Sequence, residues 1–235
     1  MPSQDDGRRI FSELLGTALL VATVVGSGIM GTALSKDAAI ALVANAGATV
    51  AALGALIWLL GPVSGAHFNP VVTAVAVARR ELGVQLATGY MTAQVVGAIT
   101  GATVANLMFG LGPWTASTHV RGGPGEWLGE VVATAGLLLI VGALGLTKRG
   151  AHGPIVVPAW IGAAYFFTSS TSFANPAVTI GRAATDTFAG IAPESVAGFV
   201  IAQVVGAAIG AVIANLLFAP PGTPSVRSAS PSLDR

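Results

Sequence analysis

One helix is written almost twice in this chain. Residues 93–109 read AQVVGAITGATVANLMF and residues 202–218 read AQVVGAAIGAVIANLLF, identical at 12 of 17 positions. Two further pairs recur in the same order. His67-Phe68-Asn69-Pro70 matches Ser172-Phe173-Ala174-Asn175-Pro176, and Glu13 with Thr17 matches Glu130 with Thr134. Between these marks run apolar stretches at 10–30, 40–60, 84–109, 126–146, 154–168 and 195–218. Runs of about 20 apolar residues are long enough to cross roughly 30 Å of hydrocarbon. Three such spans fall in each half, 10–110 and 126–218. An odd number of spans makes the second half enter from the opposite side, so the repeat is inverted. The expected fold class is an all-α integral membrane protein with six transmembrane helices and two shorter re-entrant helices.

Composition removes the alternatives. Hydrophobic residues make up 53% and charged residues 9%, against about 25% charged in soluble domains. That excludes a water-soluble enzyme. A net charge of +1 gives no basic footprint for nucleic acid. With Cys 0 there is no disulfide, thiolate metal site or thiol nucleophile. No metal-ligand cluster or nucleophile–base pair is visible, so neither a metal, a cofactor nor an enzymatic activity is expected. Arg8, Arg9, Arg79, Arg80, Lys148, Arg149, Arg227 and Arg235 fall on one side of a six-span layout; Lys36, Arg121 and Arg182 fall on the other. The positive-inside bias puts both termini in the cytoplasm. Residues 1–9 then form a cytoplasmic N-terminus and 111–125 an outer connecting loop. The Pro/Ser-rich stretch 219–235 reads as a disordered cytoplasmic tail.

The two Asn-Pro boxes carry the chemistry. Asn followed by Pro is a helix start, a capping side chain with proline at the first helical position. The segments 69–78 and 175–184 are too short to span and too apolar for solvated loops. The economical reading is two half-helices entering from opposite faces and meeting at the midplane, with the irregular backbone before each lining a cavity. Their N-terminal dipole ends would repel cations there. Asn69 and Asn175 would donate to a passing water and turn its hydrogens outward, breaking a proton wire. The carbonyls of Gly65, Ala66, His67, Phe68, Phe173 and Ala174 would offer a ladder of acceptors. Glu13 and Glu130 sit inside spans, where an ionisable group marks a functional site by default. They can either support the loops by accepting backbone N–H bonds or relay protons; irregular buried backbone favours support. The relay reading belongs to the alternative function, a secondary transporter built on inverted repeats with proton coupling at Glu13 and Glu130. Gly97/Gly101 and Gly206/Gly210 are GxxxG pairs read as helix crossings within one protomer. Tyr165, Phe166 and Phe167 read as packing residues, and Trp58, Trp114, Trp127 and Trp160 as interfacial anchors.

The duplicated boxes, the SGAHFNP context, the matched glutamates and the AQxxG helices together resemble the aquaporin and aquaglyceroporin (major intrinsic protein) family over residues 10–218. The resemblance implies a bacterial-type homotetramer in the plasma membrane, with one pore per protomer. It implies passive passage of water, glycerol-like polyols and undissociated metalloid acids such as arsenite. Two departures stand out. The first box is Asn69-Pro70-Val71, with Val where the family has Ala. The second, Asn175-Pro176-Ala177, is followed by Val178 in place of the usual filter Arg. Counted from the boxes, the family's constriction falls on Thr49, Ala163, Ser172 and Val178, a ring without charge or aromatic. Arg182 lies one turn beyond Val178, where it either serves the outer vestibule or bonds loop carbonyls or Asp186.

Overall fold

The computed structural model describes residues 4–220, and every element in it is helical. The helices are α1 (Gln4–Leu34), α2 (Ala38–Ser64), α3 (Pro70–Ala78), α4 (Val84–Met108), α5 (Pro124–Leu146), α6 (Gly153–Phe167), α7 (Pro176–Arg182) and α8 (Pro193–Phe218), with a single 3₁₀ turn over Gly150–His152. Five of them, α1, α2, α4, α5 and α8, are long and apolar enough to cross a membrane. The sixth run, α6, has 15 residues, about 22 Å of helix.

Helix α1 begins at Gln4, so the expected separate N-terminal segment is the first turns of the same helix in its described part. The first half-helix ends at Ala78, the expected position, and the second at Arg182, two residues before the expected 184. The tail from 221 onward lies outside the described residues.

Helix packing follows the repeat. Helix α1 packs chiefly on α4, and α5 on α8, in the same places within the two halves. In lipid the hydrophobic effect does not drive helices together, so close approach through small residues must do it. A Cβ at Gly206 would stand 2.5 Å from the Val131 carbonyl, and Gly97, Gly101 and Gly210 face the Leu14, Ala18 and Ala135 carbonyls as tightly. The GxxxG pairs are therefore crossings within the protomer. Outward faces carry large apolar side chains, among them Phe11, Leu34, Trp58, Ile155 and Leu216. Two of the four tryptophans also pack between helices. Trp160 donates from Nε1 to the Ala133 carbonyl at 2.9 Å and fills the notch at Gly136, while Trp127 fills the one at Gly198. Both tie neighbouring helices together.

Candidate permeation site

Each half-helix starts as its sequence dictates. Asn69 and Asn175 are extended N-caps, accepting from Val71 N–H at 3.1 Å and from Ala177 N–H at 3.0 Å, with Pro70 and Pro176 at the first helical positions. Their amides then reach across. Asn69 Nδ2 donates to the Ala174 carbonyl at 2.8 Å and Asn175 Nδ2 to the Phe68 carbonyl at 2.7 Å. The two boxes are thus latched to each other, N-terminal end to N-terminal end. A primary amide has two N–H donors, so each Asn keeps one for the cavity that both line. One lone pair on the Phe68 and Ala174 carbonyls serves this latch, which narrows the expected ladder at those two steps.

The loops before the boxes share an unusual backbone. Gly65, Ala66 and Phe68 have φ of 89°, 50° and 47°; Thr171, Ser172 and Ala174, at the matching positions, have 60°, 53° and 46°. Left-handed backbone is costly for residues with a Cβ, most of all for β-branched Thr171. Such strain persists only where the surroundings over-determine it, and the two glutamates do so. Glu13 is fully buried. Its Oε1 accepts from Ser64 Oγ at 2.6 Å and His67 N–H at 3.0 Å, and its Oε2 from Phe68 N–H at 2.7 Å and Gln94 Nε2 at 2.8 Å. Glu130, also fully buried, accepts from the N–H groups of Phe173 and Ala174 at 2.8 Å each and from Gln203 Nε2 at 2.6 Å. Every one of these contacts belongs to the loop-supporting reading. Both oxygens of each carboxylate are engaged with donors.

Sequence reasoning missed the next layer. Gln94 and Gln203 also donate to Thr73 Oγ1 at 3.0 Å and Thr179 Oγ1 at 2.9 Å, each Thr lying four residues after a box Asn and bonding back to its carbonyl. The signal was present in the AQVVG repeat, since a glutamine kept in both copies of an apolar helix needs a buried partner.

A cavity of about 310 Å³ runs past both boxes. Thr49, Ser172 and Val178 line it, as do Gly65, Ala66, His67 and Phe173. Ala163 does not: it is exposed on the outer side of α6. This corrects the ungapped count. Ile161 and Tyr165, two residues to either side, face the cavity instead. Tyr165 is therefore a lining residue and not mere packing; its hydroxyl donates to Thr49 Oγ1 at 3.3 Å, while Phe166 and Phe167 point outward. Ser172 Oγ is buried beside them without a hydrogen-bond partner.

Arg182 makes the expected bond to a loop carbonyl, donating from Nε to the Ala189 carbonyl, and it lines the cavity while only 3% exposed. It does not bond Asp186, which instead accepts from Thr118 N–H at 2.8 Å and Thr118 Oγ1 at 2.9 Å. Those bonds hold the exposed Asp186 carboxyl below its ordinary value and tie the 111–123 loop over the segment after α7.

The major intrinsic protein family matches residues 2–174. An aquaglyceroporin of Rhizobium meliloti, AqpS, is 48% identical over 231 residues, 98% of each chain. Human aquaporin-5 is 36% identical over 110 residues, 46% of this chain and 38% of that one. Among solved structures, the aquaglyceroporin of Plasmodium falciparum superposes with a TM-score of 0.64 at 18% identity, covering 90% of this chain and 95% of that one; this shows a shared fold. With both boxes, both buried glutamates and the cross-latched half-helices in place, the chain belongs to the major intrinsic protein family.

Proposed function

We propose that the protein is a passive channel for small uncharged solutes, water and glycerol-like polyols first among them. The observation that carries this reading is the cross-latch of Asn69 and Asn175 beside a continuous cavity. Each amide has one N–H left to donate. A water oxygen accepting both must turn its hydrogens away from its neighbours, so protons cannot hop through while water moves. The paired N-terminal ends add a positive potential that opposes cations.

The uncharged ring of Thr49, Tyr165, Ser172 and Val178 sets the solute class. Three hydroxyls stand near a valine wall, an arrangement that suits a polyol or an undissociated metalloid acid such as arsenite better than water alone. The relative AqpS is named an aquaglyceroporin, which agrees. The half-repeats 10–110 and 126–218 are inverted in a bacterial plasma membrane, both termini are cytoplasmic, and four copies assemble with one pore each.

Reconstituted vesicles test the reading. Shrinking under a glycerol gradient, followed by re-swelling far faster than in protein-free vesicles and ending at equal concentrations, is the expected outcome. Glycerol or arsenite accumulation against a gradient, driven by a pH difference, would replace the channel with a coupled transporter.

A further inference from the structure

The ring carries no charge, yet two guanidiniums line the same cavity. Arg182 ends α7 and Arg79 caps the C-terminus of α3. Because the half-helices meet by their N-terminal ends, these arginines stand on opposite sides of the two boxes.

Their settings differ. The Arg182 guanidinium carbon lies 3.4 Å from the centre of the Phe173 ring, with Arg121 at 5.3 Å from the same ring. A ring face holds a cation without neutralising it. Arg79 Nη2 reaches Asn215 Oδ1 at 3.4 Å, and its Nε is buried with no partner. Gly142 provides the notch that receives this guanidinium. The second half has Thr185 at the position matching Arg79, ten residues after the box Asn. Thr185 donates to Asn106 Oδ1 at 2.7 Å, and Asn106 is the repeat mate of Asn215. The same asparagine thus holds a neutral hydroxyl in one half and a guanidinium in the other. Closing the scaffold needs only the hydroxyl, so the charge at Arg79 is an addition to the repeat.

We infer that Arg79 and Arg182 are two cation barriers in series, one on each side of the boxes, adding to the half-helix ends the side-chain charge that the ring lacks. The inference rests on the passive-channel reading. A unit charge about 10 Å from a passing ion, at an effective dielectric of about 20, changes its permeability by about tenfold. Resistances in series add. Removing one charge leaves the other limiting, and the central half-helix barrier stays in series in every variant, so each single substitution raises cation leak by at most about twofold and the pair by at most about tenfold. Two charges acting on one shared central barrier would multiply instead, to about tenfold each and about a hundredfold together.

Arg79→Gln, Arg182→Gln and the double variant are reconstituted, and potassium and proton leak is divided by the amount of folded protein recovered from the same vesicles, so that only assembled pores count. Arg182→Met provides a second neutral variant where glutamine does not assemble, and lysine at both positions should restore the low leak. The twofold, twofold and tenfold pattern supports the inference. A double variant as tight as wild type, one single variant as leaky as the double, or multiplying effects would overturn it. Wild-type vesicles without glycerol flux would sink the channel reading itself, a separate outcome.

Discussion

Glu130→Gln separates a loop anchor from a proton carrier. The carboxylate accepts three N–H donors, Phe173 N–H at Oε1 and Ala174 N–H and Gln203 Nε2 at Oε2, with the Ser170 hydroxyl as a further partner. Glutamine offers one acceptor oxygen of two lone pairs and one donating amide. The oxygen can replace Oε2 and keep two bonds. The amide then faces Phe173 N–H, donor against donor, in a fully buried site. Leaving one buried donor unmet costs about 1–3 kcal/mol, and the two retained bonds lose their charge assistance. The total is about 3 kcal/mol, which lowers the melting temperature by roughly 6–12 °C in a chain this size. The strained 171–174 loop is the part released, so glycerol flux per folded protein should fall with it. Glu130→Ala orphans all three donors and should melt lower still. The assay is unfolding in mild detergent, followed by vesicle flux on the same preparations. Wild-type melting in Glu130→Gln would refute the anchor argument. Selective loss of a pH-driven flux, with stability intact, would make the residue a proton carrier.

Three other outcomes follow from the same geometry. Val178→Arg should place a guanidinium in the ring of Thr49, Tyr165 and Ser172 and reduce glycerol flux more than water flux; equal loss of both, or no change, contradicts the ring assignment. Gly210→Val should push α8 off the Ala135 carbonyl of α5 at a cost of about 1–3 kcal/mol or more, seen as a lower melting temperature, whereas Gly47→Val, with nothing within 4 Å, should melt as wild type does. Asp186 has a depressed pKa from the Thr118 bonds, so its contribution is full above the unfolded value of about 3.9 and is lost as pH falls through the folded one. Hydrogen-exchange protection at the Thr118 amide should therefore hold from pH 8 to 5 and fade below about pH 4, and Asp186→Asn should weaken it throughout.

Sequence patterns located the scaffold well because its parts are local or duplicated. Asn-Pro caps a helix wherever it occurs, and a repeated glutamate in an apolar span must meet a donor. The constriction was less legible, since it depends on where a helix points. Counting without gaps assigned Ala163 on α6, but α6 starts from a 3₁₀ turn and is shorter than its partners, so its register along the cavity is set by packing. Tyr165 reads as an aromatic of a core in the sequence; only the position of Thr49 across the cavity reveals its hydroxyl as lining. Arg182 presented the same difficulty, because carbonyl bonding and cavity lining are compatible once the loop 183–192 folds back over it.

The halves agree in some residues and differ in others, and the division follows function. Glu13 and Glu130, Gln94 and Gln203, Thr73 and Thr179, Asn69 and Asn175 match in position and in bond, and each of them supports or caps a loop. The residues of the proposed ring are Thr49, Tyr165, Ser172 and Val178, all lining the cavity, and three of them come from the second half. Arg79 has Thr185 as its counterpart, and His67, bonded to Thr73 Oγ1 at 3.0 Å, has Phe173. A symmetric pore would present the same chemistry at both mouths and in both directions. Here the pseudo-symmetry is spent on holding strained backbone in place, and the departures from it choose what passes. Substitutions at matched positions should therefore lower stability and all fluxes together, while substitutions at unmatched ones should change the ratio of one flux to another.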